Sequence, residues 1–312
     1  MNSLVAVIGP TAAGKSQLAL QLARTFQGEI VNADSRQVYR YMDIGTAKPS
    51  NYEQKLIKHH LLDLINPDES FSLALYQKLA FKAIKDIQRR NKLPLLVGGS
   101  GLYVWSVLEG WRIPPVPPNN EFRELLEKTA REKGNQTLFQ ELIEIDPVAA
   151  SKIMPGNLRR VIRALEIYRK TGVPASTYWR KQPPRYRILI VGLTMRREDL
   201  YRRIDARVEE MIKRGFVEDV RSLLEMGYTP DLPSMSGIGY KQVAAFIEGQ
   251  LDLAGAIEQI KKETHRFARR QYAWFKLTDT RIHWLSDYGD FPIKATKLLE
   301  SFLADASSKE EY

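Results

Sequence analysis

Gly9-Pro10-Thr11-Ala12-Ala13-Gly14-Lys15-Ser16 reads G-x-x-x-x-G-K-S. It follows an apolar run at Leu4–Gly9 (LVAVIG) and opens a helical pattern with Leu18, Leu22 and Phe26 at i, i+4 and i+8. Strand, glycine-rich turn and helix in that order are the context that makes this pattern a P-loop. The glycines let the backbone wrap an anion, the N–H groups point at it, and the helix N-terminus adds positive potential. Lys15 neutralises terminal phosphates and Ser16 is the residue expected to hold Mg²⁺. The cradle takes a di- or triphosphate, and the motif alone does not choose between them.

Outward from the cradle, further apolar runs stand at Glu29–Ala33, Leu61–Ile65, Leu95–Val97 and Ile188–Leu193. Such runs read as strands buried on both faces of a parallel sheet. Amphipathic helices such as Leu73–Arg90 fall between them, and the alternation predicts a doubly wound α/β core. Two proline-rich stretches, RIPPVPPNN at 112–120 and KQPPRYR at 181–187, interrupt it. Between them the chain reads as helices only, at Glu121–Lys133, Thr137–Ile145, Val148–Met154 and Leu158–Thr171. The expected division is a core of residues 1–112 and 187–312 with an inserted helical domain at 113–186. The final ASSKEEY, residues 306–312, reads as a frayed tail.

Composition removes several classes. A chain of 312 residues has a prior of two domains. Without cysteine there are no disulfides, thiolate zinc sites, Fe–S clusters or cysteine nucleophiles. His59, His60, His265 and His283 lack metal-ligand spacing, and the adjacent pair would point to opposite faces of a strand. No apolar run approaches the roughly 18 residues of a membrane span. The start MNSLVAVIGP lacks a basic segment and a cleavage site, so the expected compartment is the cytoplasm.

The net charge of +10 is unevenly placed. Residues 151–187 carry ten basic side chains against one acid, Glu166, and residues 261–281 carry seven against two. Those two segments exceed the net charge of the whole chain. Tyr168, Tyr178, Trp179, Tyr272, Trp274 and Phe275 are interleaved with the charges. Basic groups beside aromatics suit RNA, whose phosphates take the charge and whose splayed bases stack.

A second polar turn follows Glu29-Ile-Val-Asn-Ala-Asp34-Ser35-Arg36-Gln37. Asp34 falls at the C-terminal end of a strand, the edge where open α/β sheets hold ligands. It reads equally as a proton acceptor for an incoming nucleophile or as a helix N-cap. A nucleoside-triphosphatase would also carry a metal-holding acid at the end of another strand. Leu95–Val97 runs instead into Gly98-Gly99-Ser100-Gly101, and Asp63 within LLDLI is the one substitute. In Leu200–Gly215, Leu200, Ile204, Val208 and Met211 form an apolar stripe, and Arg203 and Arg207 flank it. Arg207 reads as a site residue or as a partner of Glu210 or Asp219. Trp274 and Phe275 read as core packing or as RNA contacts.

Taken together, the motifs resemble the bacterial tRNA dimethylallyltransferases. The resemblance rests on GPTAAGKS at 9–16, ADSRQVYRYMDIGTAKP at 33–49, HHLLDLINP at 59–67 and PLLVGGSGLY at 94–103. It continues through DPVAASKI at 146–153, RRVIRALEIY at 159–168, LPSMSGIGYKQ at 232–242, RRQYAWF at 269–275 and HWL at 283–285. The resemblance implies a P-loop NTPase-like, kinase-like core with an inserted all-helical domain that grips the anticodon stem-loop of tRNA. It implies dimethylallyl diphosphate as donor and Mg²⁺ as cofactor, in a protein expected to be a monomer off the membrane. Asp34 matches the acid that meets the adenine amino group, and Thr11 and Arg207 match residues near the bridging oxygen of the diphosphate. Ser35, Arg36, Gln37, Ser100, Arg123, Arg159, Arg160 and Arg163 match tRNA-contacting positions. So do Gly239 and Lys241 within Ser236–Lys241, and Arg269, Arg270 and Gln271 within Arg269–Lys276. Arg159 stands where the family usually has Gln, and Ser100 where it more often has Thr.

The chemistry agrees with the resemblance. Adenine's exocyclic amino group is a weak nucleophile that gains from a positioned acceptor. A departing diphosphate needs stabilisation of its charge and no strand-end acid to orient water. Competing readings are a prenyltransferase of free adenine nucleotides, a P-loop kinase of small metabolites, and a non-catalytic RNA-binding module.

Overall fold

Among the described residues, six strands form one all-parallel sheet. The computed structural model describes residues 3–184, 186–286 and 289–307. In chain order the elements are strand β1 (Ser3–Ile8), helix α1 (Lys15–Thr25), β2 (Gly28–Asn32), α2 (Asn51–Leu56), β3 (His59–His60), α3 (Leu73–Arg89), β4 (Leu93–Gly98) and α4 (Gly101–Leu108). Helices α5 (Asn120–Lys133), α6 (Asn135–Ile145), α7 (Pro147–Ala150) and α8 (Leu158–Thr171) follow. The chain then runs through β5 (Arg187–Thr194), α9 (Arg197–Lys213), α10 (Phe216–Glu225), α11 (Tyr240–Ile247), α12 (Leu253–Trp274), β6 (Ile282–Ser286) and α13 (Phe291–Ser307).

The strand order is β3-β2-β4-β1-β5-β6. The most apolar strand, β1, lies inside the sheet, pairing Val5 with Leu95 of β4 and with Leu189 of β5. All six β1 residues are buried, as covered faces on both sides of a parallel sheet require. Because the strands are parallel, the segments leaving β1, β2 and β4 emerge at one edge. That edge receives the P-loop, the Asp34 turn and Gly99-Ser100.

One expectation about strands needs correction. Leu61–Ile65 is not a strand; its place is taken by His59–His60, which pair with Ile30 and Val31. Leu61 and Asp63 adopt left-handed φ of 66° and 52°, incompatible with continued pairing. Asp63 is also drawn aside by Lys48, 2.6 Å away, so it is no strand-end metal acid. Conversely, β6 was legible only as HWL. It is a short edge strand with two exposed positions, and its periodicity is weak.

The chain divides into two compact units. The first comprises Met1–Phe71, Tyr76–Trp105 and Arg185–Tyr312; the second comprises Ser72–Leu75 and Ser106–Pro184. The second unit begins before the expected residue 113. Its neck is a clasp in which Trp111 and Lys181 form an antiparallel bridge. Arg112 N–H donates to the Arg180 carbonyl at 3.0 Å, and Gln182 N–H donates to the Gly110 carbonyl at 2.9 Å. Its core joins Leu126, Leu138, Leu142, Val161, Ile162 and Leu165. The expected helix at Val148–Met154 is only Pro147–Ala150, entered through Asp146, whose carboxylate accepts the Ala149 N–H. Arg185 and residues 308–312 of the expected tail lie outside the described residues; α13 itself runs to Ser307.

Candidate active site

The cradle departs from β1 at Gly9. Its φ is +141°, and a Cβ there would lie 2.4 Å from the Leu193 carbonyl oxygen, so only glycine turns at this point. Lys15 opens α1 and folds back to donate to the Pro10 carbonyl at 2.7 Å. The cleft walls hold water away from its ammonium, and this desolvation lowers its pKa to about 8; Asp34 opposes the shift and Arg207 adds to it. An arriving diphosphate would reverse that balance, because it supplies the missing counter-charge.

The Asp34 turn is built by Asn32, a buried amide at the end of an apolar strand. Its Nδ2 donates to the carbonyls of Asp34 and Leu61, each at 3.1 Å, and its Oδ1 accepts the Asp34 N–H at 2.9 Å. The Asp34 carboxylate accepts the Arg36 N–H at 2.9 Å. The helix N-cap alternative is therefore corrected: the carboxylate closes a local turn, and the next helix starts only at Asn51. Sequence reasoning passed over Asn32, although a polar residue ending EIVN was its available signal.

Arg207 reaches the cradle from α9 and donates to Thr11 Oγ1 at 3.4 Å. The stripe Leu200, Ile204, Val208 and Met211 is buried as expected, and this burial aims Arg207 at the site. Desolvation lowers the Arg207 pKa, with Asp34 opposing. Thr11, Asp34, Thr46 and Arg207 line two cavities at once. One also holds Lys15, Ser16, Gln37 and Lys48. The other also holds Ser35, Arg36, Ser100 and Arg270, with Met211, Ile260 and Phe267 as apolar wall. Thr46, shared by both, was not singled out from the sequence beyond its place in DIGTAKP.

The remaining expected site residues divide into exposed and committed side chains. Lys241 on α11 and Arg269 and Arg270 on α12 are exposed. Gly239 caps α11, its N–H donating to Gln242 Oε1 at 2.9 Å. Ser100 Oγ accepts the Ser35 N–H at 3.0 Å. Arg36 is tied to the carbonyls of Pro233 and Ser234, at 2.7 and 3.1 Å. Gln37 donates to the carbonyls of Thr46 and Ala47. Gln271 is buried, with both ends of its amide engaged by backbone. Phe275 is fully buried, whereas Trp274 is more than one third exposed.

Within the second unit the basic residues also divide. Glu166 is buried, and Arg123, the Asn119 N–H and Arg163 all converge on it. Burial pushes its carboxyl pKa up, but these partners outweigh burial and hold it below the ordinary value. Arg163 also donates to the Val116 carbonyl at 2.8 Å. Arg123 and Arg163 are thus engaged within the unit. Arg159 and Arg160 are exposed. Some aromatics are likewise occupied: Lys152 lies over Trp179 and Arg112 over Tyr178.

Among the described residues, no three His, Cys, Asp or Glu side chains gather to hold a metal. The cavity holding Lys15 is lined by few metal donors, mostly oxygens: the hydroxyls of Thr11, Ser16 and Thr46, the amides of Asn32 and Gln37, and the carboxylates of Asp34 and Glu53, beside His59. Such a sparse set fits Mg²⁺ carried in on phosphate oxygens, since this ion keeps several waters and takes few protein ligands. No helix among the described residues is long and apolar enough to cross a membrane.

Residues 37–278 match the family model described as IPP transferase. The tRNA dimethylallyltransferase of Roseiflexus castenholzii is 55% identical over 276 residues, covering 88% of this chain and 90% of that protein. That of Dehalococcoides mccartyi is 48% identical over 306 residues, covering 98% and 94%. Among solved structures, the full-length tRNA isopentenylpyrophosphate transferase from Bacillus halodurans superposes with a TM-score of 0.73 at 38% identity over 100% of both chains. A eukaryotic dimethylallyltransferase acting on tRNA gives a TM-score of 0.85 at 28% identity, over 98% of this chain and 80% of that one.

Proposed function

We infer the reaction from one premise: the chain belongs to the IPP transferase family. It transfers a dimethylallyl group from dimethylallyl diphosphate to the exocyclic N6 of the adenosine 3′-adjacent to the anticodon in tRNA, and releases diphosphate. The observation that carries this reading is the pair of cavities sharing Thr11, Asp34 and Arg207. The cavity with Lys15 suits the diphosphate, and the one with Arg36, Ser100 and Arg270 suits the RNA loop. Donor carbon and acceptor nitrogen would then meet where the two adjoin.

In the proposed step N6 attacks the allylic C1, the C1–O bond breaks, and its electron pair leaves with the diphosphate. Asp34 takes the N6 proton. Lys15, Arg207, Thr11 and the cradle N–H groups stabilise charge that develops on the leaving oxygens. The Ser16 hydroxyl would hold a Mg²⁺ arriving with the diphosphate, and the ion would supply further neutralisation of the leaving charge. The adenine must leave its stack, which costs a few kcal/mol and suits an unpaired loop base.

The exposed basic positions support tRNA over a free nucleotide as acceptor. Labelled dimethylallyl diphosphate incubated with tRNA, AMP or ATP tests this directly. Label in tRNA alone is expected; label in AMP or ATP would establish a free-nucleotide prenyltransferase, and phosphate transfer from ATP would establish a kinase.

The second unit is the proposed grip on the anticodon stem. Arg159→Ala with Arg160→Ala should weaken tRNA binding and flatten the slope of log K against log salt by roughly 0.7–0.9 per lost phosphate contact. Arg163→Ala should behave differently, costing about 1–3 kcal/mol of stability by leaving buried Glu166 short of a partner. Salt titrations of tRNA affinity, paired with thermal melts, separate the two classes. An unchanged slope in the double variant would make these arginines a solvated face.

A further inference from the structure

Gln271 has its amide engaged on both sides within the protein. Only 4% of it is exposed. Its Oε1 accepts the Thr11 N–H at 2.8 Å, and its Nε2 donates to the Gly99 carbonyl at 2.9 Å. A Cβ on Gly99 would stand 2.2 Å from that Nε2, so the glycine makes the seat for the amide. Gly99 leads into Ser100, whose Oγ accepts the Ser35 N–H at 3.0 Å and whose own N–H donates to the Ala33 carbonyl at 3.2 Å. Ala33 and Ser35 bracket Asp34. One side chain therefore bridges the cradle backbone to the loop on which the Asp34 turn is hung. A primary amide suits the task. It accepts on one side, donates on the other and carries no charge, so its burial is inexpensive once both bonds are made.

We propose that Gln271 is a positioning residue for the transfer, fixing the separation between Thr11 at the leaving diphosphate and the Asp34 carboxylate at the attacking nitrogen. The inference rests on the reaction proposed above. Reacting atoms must approach to about 3–3.5 Å, and a misplacement of 1 Å costs on the order of 10²-fold. Both ends of the amide are already taken by backbone, so its loss should appear in turnover rather than in binding.

Two variants test this. Gln271→Met keeps length and volume but makes neither bond. Its kcat should fall about 10–100-fold, with KM for dimethylallyl diphosphate and affinity for tRNA each within about threefold of wild type. Gln271→Glu keeps an acceptor for Thr11, and only its protonated carboxyl can also donate to Gly99. Burial disfavours its charged form, so its kcat relative to wild type should rise as pH falls, and the ratio cancels ionisations common to both proteins. Thermal melts identify any variant that has not folded, and the Glu variant carries the test if the Met variant fails. An unchanged kcat in Gln271→Met, or a loss confined to tRNA affinity, would overturn the inference, as would a pH-independent ratio for Gln271→Glu. A wild-type protein that labels no tRNA would instead sink the reaction itself, so the two failures are told apart in one assay.

Discussion

Replacement of Asp34 by alanine should lower kcat by about 10²–10⁴-fold, the range for a positioned general base. Diphosphate binding and the melting temperature should change far less. The reason lies in what holds the turn: Asn32 fixes the backbone on both sides of Asp34, and Ser100 fixes Ser35, so the loop keeps its path without the carboxylate. The lost bond to the Arg36 N–H is local, and Arg36 keeps its anchors on Pro233 and Ser234. Single-turnover rates at saturating tRNA and donor provide the measurement. A change below about threefold would reduce Asp34 to a turn-forming residue.

Lys15→Ala should have the second large effect. A charged hydrogen bond to phosphate is worth about 1.5–3 kcal/mol, so kcat/KM for dimethylallyl diphosphate should drop by at least about tenfold. Both kcat and KM should move, because in the proposed step Lys15 would meet the diphosphate before and during bond breaking. The pH dependence has a defined sign. With the Lys15 pKa at about 8, the free protein loses this positive charge as pH rises through 8, and kcat/KM falls there. Stability runs the other way. The unfolded chain binds the proton up to the ordinary value of 10.5, so between about 8 and 10.5 folding is favoured by rising pH. Lys15→Met should remove both limbs. Wild-type kinetics in Lys15→Ala would mean that the cradle serves another ligand.

The cradle and the sheet are legible in the sequence because each residue's role there is local. GPTAAGKS sets its own turn, and apolar runs flanked by helices define a parallel sheet without reference to partners. The stripe on α9 likewise points Arg207 inward. What stayed hidden depends on distant contacts. Gln271 and Arg269 are indistinguishable by position within RRQYAWF, yet one is buried against Thr11 and Gly99 and the other is exposed. Glu166 looks like a lone acid in a basic segment; only packing shows that it claims Arg123 and Arg163. Asp63 sits in an apolar run that reads as a strand, and left-handed backbone at Leu61 and Asp63 ends that reading.

The clasp at the neck of the second unit also bears on the order in which the chain is made. Strand β1 is synthesised first, yet its ladder with β5 must await Arg187, which pairs with Ser3. Until then the most apolar strand offers an open edge, a template for wrong partners. Loop closure costs about 0.6 kcal/mol for each doubling of the intervening length. Once Trp111 and Lys181 are bridged, the route from β4 to β5 is short-circuited, because the helices between them no longer count as slack. Those helices make contacts that are near in sequence, and such contacts form quickly. A nascent chain halted before Gln182 therefore holds an unfinished sheet. One that has passed Thr194 has β5 in hand and a closed neck to bring it home.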